Sequence, residues 1–516
     1  MKQILNISIL CLFLVQTGMA QTNTFTTRDL KLSLSATGRI TSLTDVRSNK
    51  NYAKNAASAI LSLFINRKVV LPQSLRYHSG SRLIHLTFPG AIIAEVKIIA
   101  APSHFSFELT GLKSDKHIDA VIWGPYTTHI TGSIGETIGV VQNSEYTIGL
   151  LGLNPKTLGG YPWVDNDHMP QLDIFSQEQF DVSKKPKKWV LYSVEAAKPV
   201  VGGSSVQAFT RNRDTAREIT NWGFPKFIAP KYDDGGLIGS KIALYGVPTP
   251  ATLDRIGEIE IAEGLPHPQI DGEWVKKSKI INSSYLIMDF SEETINEALD
   301  ITQRAGFNYL YHGDPFEAWG HYPLRKKYFP NGLAGLKNCV LQANGKNISI
   351  GTHTLTNFIN TDDSYVTPIP DERLAKVGYS KLSGHISGTE TDIAVLSDEP
   401  FKHVDKTNLK AIQIGHEIIR FNGVSGKSPY ILTDCQRGAF GTTASEHKAG
   451  AEVAMLLDHA YKVFLGNAEL NREIAENIAD LFNATGIRML DFDGHEGTHS
   501  TGMGTYGEAL FAKHWY

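Results

Sequence analysis

Near residue 280 the hydrophobic pattern of this chain changes period, and that change limits what it can fold into. Before it, short runs at 30–34, 84–88, 93–99, 105–109, 147–151 and 189–192 alternate apolar and polar residues, with Gly, Asn, Asp and Pro between them. Alternation puts successive side chains on opposite faces of a strand, so these runs read as half-buried strands joined by turns. Residues 21–275 are therefore expected to form a large antiparallel β-sandwich with no helix of appreciable length. After it, apolar strand runs at 285–290, 307–312, 348–353 and 487–493 are separated by helical stretches. Ser291, with Glu292 and Glu293 behind it, reads as a helix cap, and Gly306 as a stop. Leu470, Ile474, Ile478 and Leu481 mark one apolar face of a helix over 467–484, ended by Gly486. Strand, helix, strand with short links means βα units and a parallel sheet.

The fold class expected is thus multidomain α/β plus β: a β-sandwich followed by a partial (β/α) TIM-type barrel over 276–516. A small β insertion interrupts the barrel at about 380–457, read as structural or glycan-contacting. Residues 494–507 read as loop, because Gly494, Gly497, Gly502 and Gly504 crowd them. Four βα units cannot close a barrel of eight, so the sequence is expected to be a fragment that continues beyond Tyr516.

The N-terminus carries Lys2, an apolar run over 4–15 and the small residues of Gly18-Met19-Ala20. This reads as a secretory signal, residues 1–20, cleaved before Gln21, and as export to the periplasm or medium. The run is shorter than the ~18–20 apolar residues that span a bilayer, and no later stretch reaches that length. Cys11 would leave with the signal, and Cys339 and Cys435 alone make no disulfide framework, though they remain free to pair. A net charge of −3 with both signs interspersed offers no basic stripe for nucleic acid and no basic amphipathic face for a membrane surface. Carbohydrate is the expected partner, and neither a cofactor nor a metal is implied.

In parallel α/β folds the chemistry gathers at the carboxyl ends of the strands. Those ends carry Asp289; His312 and Asp314, with Trp319 and His321 soon after; His353; and Asp491, Asp493, His495 and Glu496. Tyr311, Phe316, Trp319, Tyr322 and Phe492 lie in the same loops. Sugars need aromatic faces to stack on and carboxylates or imidazoles for their hydroxyls, so this rim reads as a glycan site.

The helix, Gly486-Ile487-Arg488 and a strand closing on Asp493 resemble α-galactosidase-like retaining glycoside hydrolases, which join an N-terminal β-sandwich to a (β/α)8 barrel. Tyr328-Phe329-Pro330-Asn331-Gly332-Leu333 is similar to a segment before the third barrel strand in that group. The resemblance implies Asp493 as catalytic nucleophile; from their places at the strand ends, Asp289, His312, Asp314, Trp319, His353, His495 and Glu496 are expected on the sugar. The group commonly has Lys where Asp491 stands, and takes its general acid from a sixth strand. Asp491 and Asp493 share a strand face, so their charges should raise one pKa. Asp491 then either supplies a proton or binds a sugar hydroxyl. A non-catalytic carbohydrate-binding protein and a polysaccharide lyase are the alternatives. His495-Glu496-Gly497-Thr498-His499 also fits the zinc-protease pattern H-E-x-x-H, but the pattern needs a helix that these glycines oppose.

Overall fold

The computed structural model describes residues 22–54, 58–162, 194–221 and 223–516. The signal segment and the strand expected at 189–192 lie outside them. The fold is mixed α/β with many antiparallel sheets.

Two antiparallel sheets dominate the first half. The larger has eight strands, ordered Ser133–Gly135, Val140–Gln142, Tyr146–Gly152, Lys241–Pro248, Phe105–Lys113, Ile92–Ala100, Leu83–Phe88 and Ser74–His78. The other is built on Gly203–Arg211, Ala120–Thr128 and Ser62–Ile65. In Leu83–Phe88 every second residue is buried, as one covered face requires. Ile84, Leu86, Phe105 and Phe107 of the larger sheet share one core with Leu63, Val121, Trp123 and Val206 of the other. Gly203–Arg211 is buried at every position, so its sheet is covered on both faces. Its second cover is the C-terminal helix Thr505–Trp515, whose Tyr506 and Leu510 pack with Phe64, Ile122 and Phe209.

One expectation fails here. Helix α1, Thr252–Glu263, lies before residue 275. Its Ile259-Glu260-Ile261 alternates like a strand, which hid it. Burial decides otherwise: Ile256 and Ile259 pack under Tyr245, Val247 and Trp274, while Ile261 is left exposed.

The second half contains a four-stranded parallel sheet in sequential order: Tyr285–Ile287, Tyr309–His312, Ser349–Thr352 and Met489–Leu490. Helix α2, Ile295–Arg304, links the first two strands, and α3, Gly332–Asn344, the next two. Helix α4, Ala468–Thr485, precedes the fourth and ends on left-handed Gly486. Leu299, Leu336, Val340, Ile474 and Ile478 pack onto Leu310 and Ile350 in one core. The Ser291 hydroxyl accepts from the N–H groups of Glu293 and Thr294, so it caps a turn, and α2 itself starts only at Ile295.

Between the third and fourth strands the chain detours through small antiparallel sheets, among them two in the expected insertion. One orders Lys376–Lys381, Glu452–Leu456, Ala411–Ile414 and Glu417–Arg420; the other orders Ile393–Val395, Tyr430–Thr433 and Gly423–Val424. They pack around Ile393, Ile412, Ile419 and Met455 in a core shared with Phe224 and Phe227 of the first half. Cys339 and Cys435 are both buried and unpaired, and burial pushes their thiols up to about 11 and about 12.

The segment expected to be loop after Asp493 is helical instead: one turn at Glu496–Thr498 runs into a π-helical turn at His499–Met503. The glycines bound and fit this helix rather than break it. Gly494 and Gly502 have φ of 76° and 88° at its two ends. A Cβ on Gly497 would stand 2.5 Å from the Asn357 side chain, so glycine there allows a close approach.

Candidate active site at the parallel-sheet rim

His353 directly follows the third parallel strand and Asp491 the fourth. His353 Nδ1 stands 3.3 Å from Asp491 Oδ2, and the Thr354 N–H donates to Asp491 Oδ1 at 3.3 Å. Asp493 is exposed and accepts from the N–H of its own neighbour Gly494 at 2.9 Å. One ligand-type atom from each of His353, Asp491 and Asp493 falls within 4.8 Å of the others. This triplet is the group at the rim able to hold a metal ion.

Two buried threonines fix the strand ends that carry the triplet. The Thr354 hydroxyl donates to the Asp491 carbonyl at 3.1 Å. Thr356 donates to the Asp493 carbonyl through its N–H at 2.8 Å and its hydroxyl at 3.1 Å. Sequence reasoning passed over both. Their spacing of two, level with the Asp491–Asp493 spacing, is the signal that could have found them.

Burial alone would raise the Asp491 carboxyl, but the His353 hydrogen bond, the Tyr311 hydroxyl and the Thr354 N–H outweigh it and hold Asp491 below the usual carboxylate range. The expected rise is therefore not seen at Asp491: an imidazole offsets the neighbouring carboxylate. The Asp491 hydrogen bond raises His353, against the effect of burial. Tyr311 is 4% exposed, and its hydroxyl lies toward Asp491 without closing a hydrogen bond of ordinary geometry. Burial first, then Asp491, raises its pKa.

The remaining rim residues divide. Asp289 is half-exposed; its Oδ1 accepts from the Gly313 N–H at 3.1 Å, and its Oδ2 from the Tyr328 hydroxyl at 3.4 Å. Asp314 pairs with Arg325 at 2.9 Å. His312 differs from the expectation that it meets a sugar. It is buried, its Nδ1 accepts from the Asp314 N–H at 3.1 Å, and its Nε2 donates to the Phe290 carbonyl at 3.0 Å. Both ring nitrogens are engaged by backbone, and burial lowers its pKa. His321 binds Asp363 at 2.8 Å and stacks on Tyr365.

The aromatic platform is thinner than the sequence promised. Phe316 and Tyr322 are buried in the core with Tyr311, and the Phe492 ring packs edge-on against Phe511 and Trp515. Trp319 is half-buried between two cores. Composition cannot separate a stacking face from a core face when both need the same side chains.

His495 and Glu496 also leave the sugar side. His495 packs against Phe492 and Phe511 and donates to the Glu508 carbonyl at 3.2 Å. His499 Nδ1 meets the Glu508 carboxylate at 3.3 Å, and Glu496 turns toward His459 at 3.8 Å. One helical turn forms where the zinc pattern falls, but it passes into a π turn at His499, and Glu496 pairs with His459.

A cleft of about 760 Å³ opens elsewhere, lined by Lys231, Tyr232, Arg373, Glu473 and their neighbours. None of the rim residues lines it. Its charges largely neutralise one another, as in Arg373–Glu473 at 2.7 Å and Arg472–Glu476 at 2.8 Å. The rim, with its open carboxylates, is the stronger site.

No protein-family model matches the chain, and no curated protein does. The solved structures with which it aligns include several glycoside hydrolases. The α-N-acetylgalactosaminidase of Bifidobacterium bifidum, in complex with GalNAc, aligns at 10% identity and a TM-score of 0.40, over 90% of this chain and 68% of that one. A GH36 α-galactosidase from Geobacillus stearothermophilus aligns at 6% identity and 0.37, over 96% and 70%. The α-galactosidase of Thermus thermophilus aligns at 12% identity and 0.29, over 88% and 67%.

Proposed function

We propose that this chain is an exported glycoside hydrolase in which Asp493 attacks the anomeric carbon of a carbohydrate substrate. In this reading residues 1–20 are a secretory signal and the two large antiparallel sheets of 21–275 are a β-sandwich. The βα units of 276–516 are then part of a (β/α) barrel, with the insertion at 380–457.

One observation carries the reading. An exposed carboxylate, Asp493, whose hydrogen bond comes from its own neighbour, sits within 4.8 Å of a second carboxylate at the carboxyl end of a parallel sheet. A nucleophile must keep an oxygen free, and a second carboxylate beside it can hold a hydroxyl of the same sugar. Asp491 is held ionised, so we assign it to a sugar hydroxyl rather than to protonating the leaving group. Asp289, at the first strand end, is assigned to the same sugar.

The test is turnover on a panel of nitrophenyl α- and β-glycosides by wild type and Asp493→Asn. Wild type is expected to release nitrophenol from at least one member, and the variant to bind that glycoside without cleaving it. Equal turnover by both proteins, or none by wild type across the panel, removes the assignment.

A further inference from the structure

We infer that His353, Asp491 and Asp493 bind one divalent metal ion, with positions left open for oxygen atoms of a ligand. The site rests on geometry alone; only the identity of the ligand, a sugar, rests on the hydrolase reading.

Spacing comes first. Two ligand atoms bound at about 2.1 Å to one ion stand roughly 3.0–3.4 Å apart in octahedral or tetrahedral geometry. His353 Nδ1 and Asp491 Oδ2 are 3.3 Å apart, and the three ligand atoms fall within 4.8 Å. Charge comes second. Two carboxylates and a neutral imidazole sum to −2, and among the described residues no Lys or Arg forms an ion pair with Asp491 or Asp493. Rigidity comes third. The Thr354 and Thr356 bonds to the carbonyls of Asp491 and Asp493 hold the two ligand-bearing backbones in place before any ion arrives.

Tyr311 supplies the independent observation. Its hydroxyl is buried and lies toward Asp491 without closing a hydrogen bond of ordinary geometry. A buried phenol in that position calls for an acceptor. An oxygen atom on the ion, from water or from a sugar, provides one.

One imidazole with two carboxylates suits Mn²⁺ or Zn²⁺ better than Mg²⁺, and three protein ligands leave room for a vicinal pair of hydroxyls. A carboxylate has two oxygens, so Asp493 can place one on the ion and keep the other for chemistry.

The experiment uses full-length protein stripped with EDTA and desalted. Calorimetric titration with Mn²⁺, Zn²⁺ and Ca²⁺ separately is paired with metal content after equilibrium dialysis. Wild type should take up one equivalent of at least one ion. Asp491→Asn and His353→Gln should weaken that uptake at least about 100-fold. Thermal melts confirm that both variants fold. Uptake of none of the three ions by wild type, or equal affinity in both variants, overturns the site. Glycoside turnover is read separately. Ion binding without turnover keeps the site and removes the hydrolase; turnover unchanged by EDTA, with no ion bound, does the reverse.

Discussion

Two of the clusters that set a carboxylate beside a histidine, one in the insertion and one at the rim, are finished differently. In the insertion, Glu417 is fully buried. Its Oε1 accepts from Arg437 Nε at 2.8 Å and the Gly438 N–H at 2.9 Å. Its Oε2 accepts from Arg437 Nη2 and His447 Nε2, each at 2.8 Å, and from the Ser445 N–H at 3.2 Å. Five donors leave no lone pair for anything else. At the rim, Asp491 is 44% exposed with two contacts of 3.3 Å, and Asp493 accepts from Gly494. A closed cluster pins loops together, whereas an open one keeps capacity for a ligand. Residue type does not distinguish them; counting donors around each oxygen does.

The sharpest way to break this contrast is to neutralise one carboxylate from each cluster. Asp493→Asn should lower kcat roughly 10³-fold or more while shifting stability by no more than about 0.5 kcal/mol. Glu417→Gln should do the opposite. It strands Arg437 in the interior and should cost about 3–5 kcal/mol in urea denaturation, with turnover per folded molecule unchanged.

Acid should separate the clusters again. Burial would raise the Glu417 carboxyl, but Arg437, Gly438 and His447 hold it below the usual range. Its native pKa thus lies under its unfolded one, and the native state binds fewer protons between the two. The stabilisation is complete above the unfolded value of about 4.3 and is lost as pH falls through the lowered native value. Wild type should therefore lose stability in that acid window, and Glu417→Gln should lose much less, as denaturation midpoints across pH will show.

How far the sequence reached follows the same divide between local and distant causes. The parallel strands and α4 were legible because apolar period, Ser291 and the left-handed glycines 306 and 486 are local signals. Helix α1 was not, because its alternating isoleucines look like a strand until Tyr245 and Trp274 cover one of them. The helix after Asp493 was missed because its glycines answer to Asn357 and to the sheet residues Phe227 and Ala229, far away in the chain. At the rim, the carboxylates and histidines could be named from the strand ends. That His312 is used up by backbone, and that Thr354 and Thr356 clamp the acids, depends on register, which single-sequence periodicity does not give.

A smaller effect is expected at Asp289, which is tied to Gly313 and Tyr328 but keeps a half-exposed carboxylate. If it holds a sugar hydroxyl equally before and during reaction, Asp289→Asn should raise KM about 10-fold with kcat nearly unchanged. A drop in kcat at constant KM would place it instead among the groups that act in the transition state.

The smallest effect should come from Glu496, the residue on which the zinc-protease pattern depends. Its carboxylate is 43% exposed and stands 3.8 Å from His459. An ion pair that long and that wet contributes little, so Glu496→Gln should move stability by less than about 0.5 kcal/mol and turnover by less than about twofold. A metalloprotease would behave otherwise, because it loses its general base with this change. More than a tenfold loss of activity in Glu496→Gln, with metal uptake surviving in Asp491→Asn, would move the chemistry from the sheet rim to the helix that follows it.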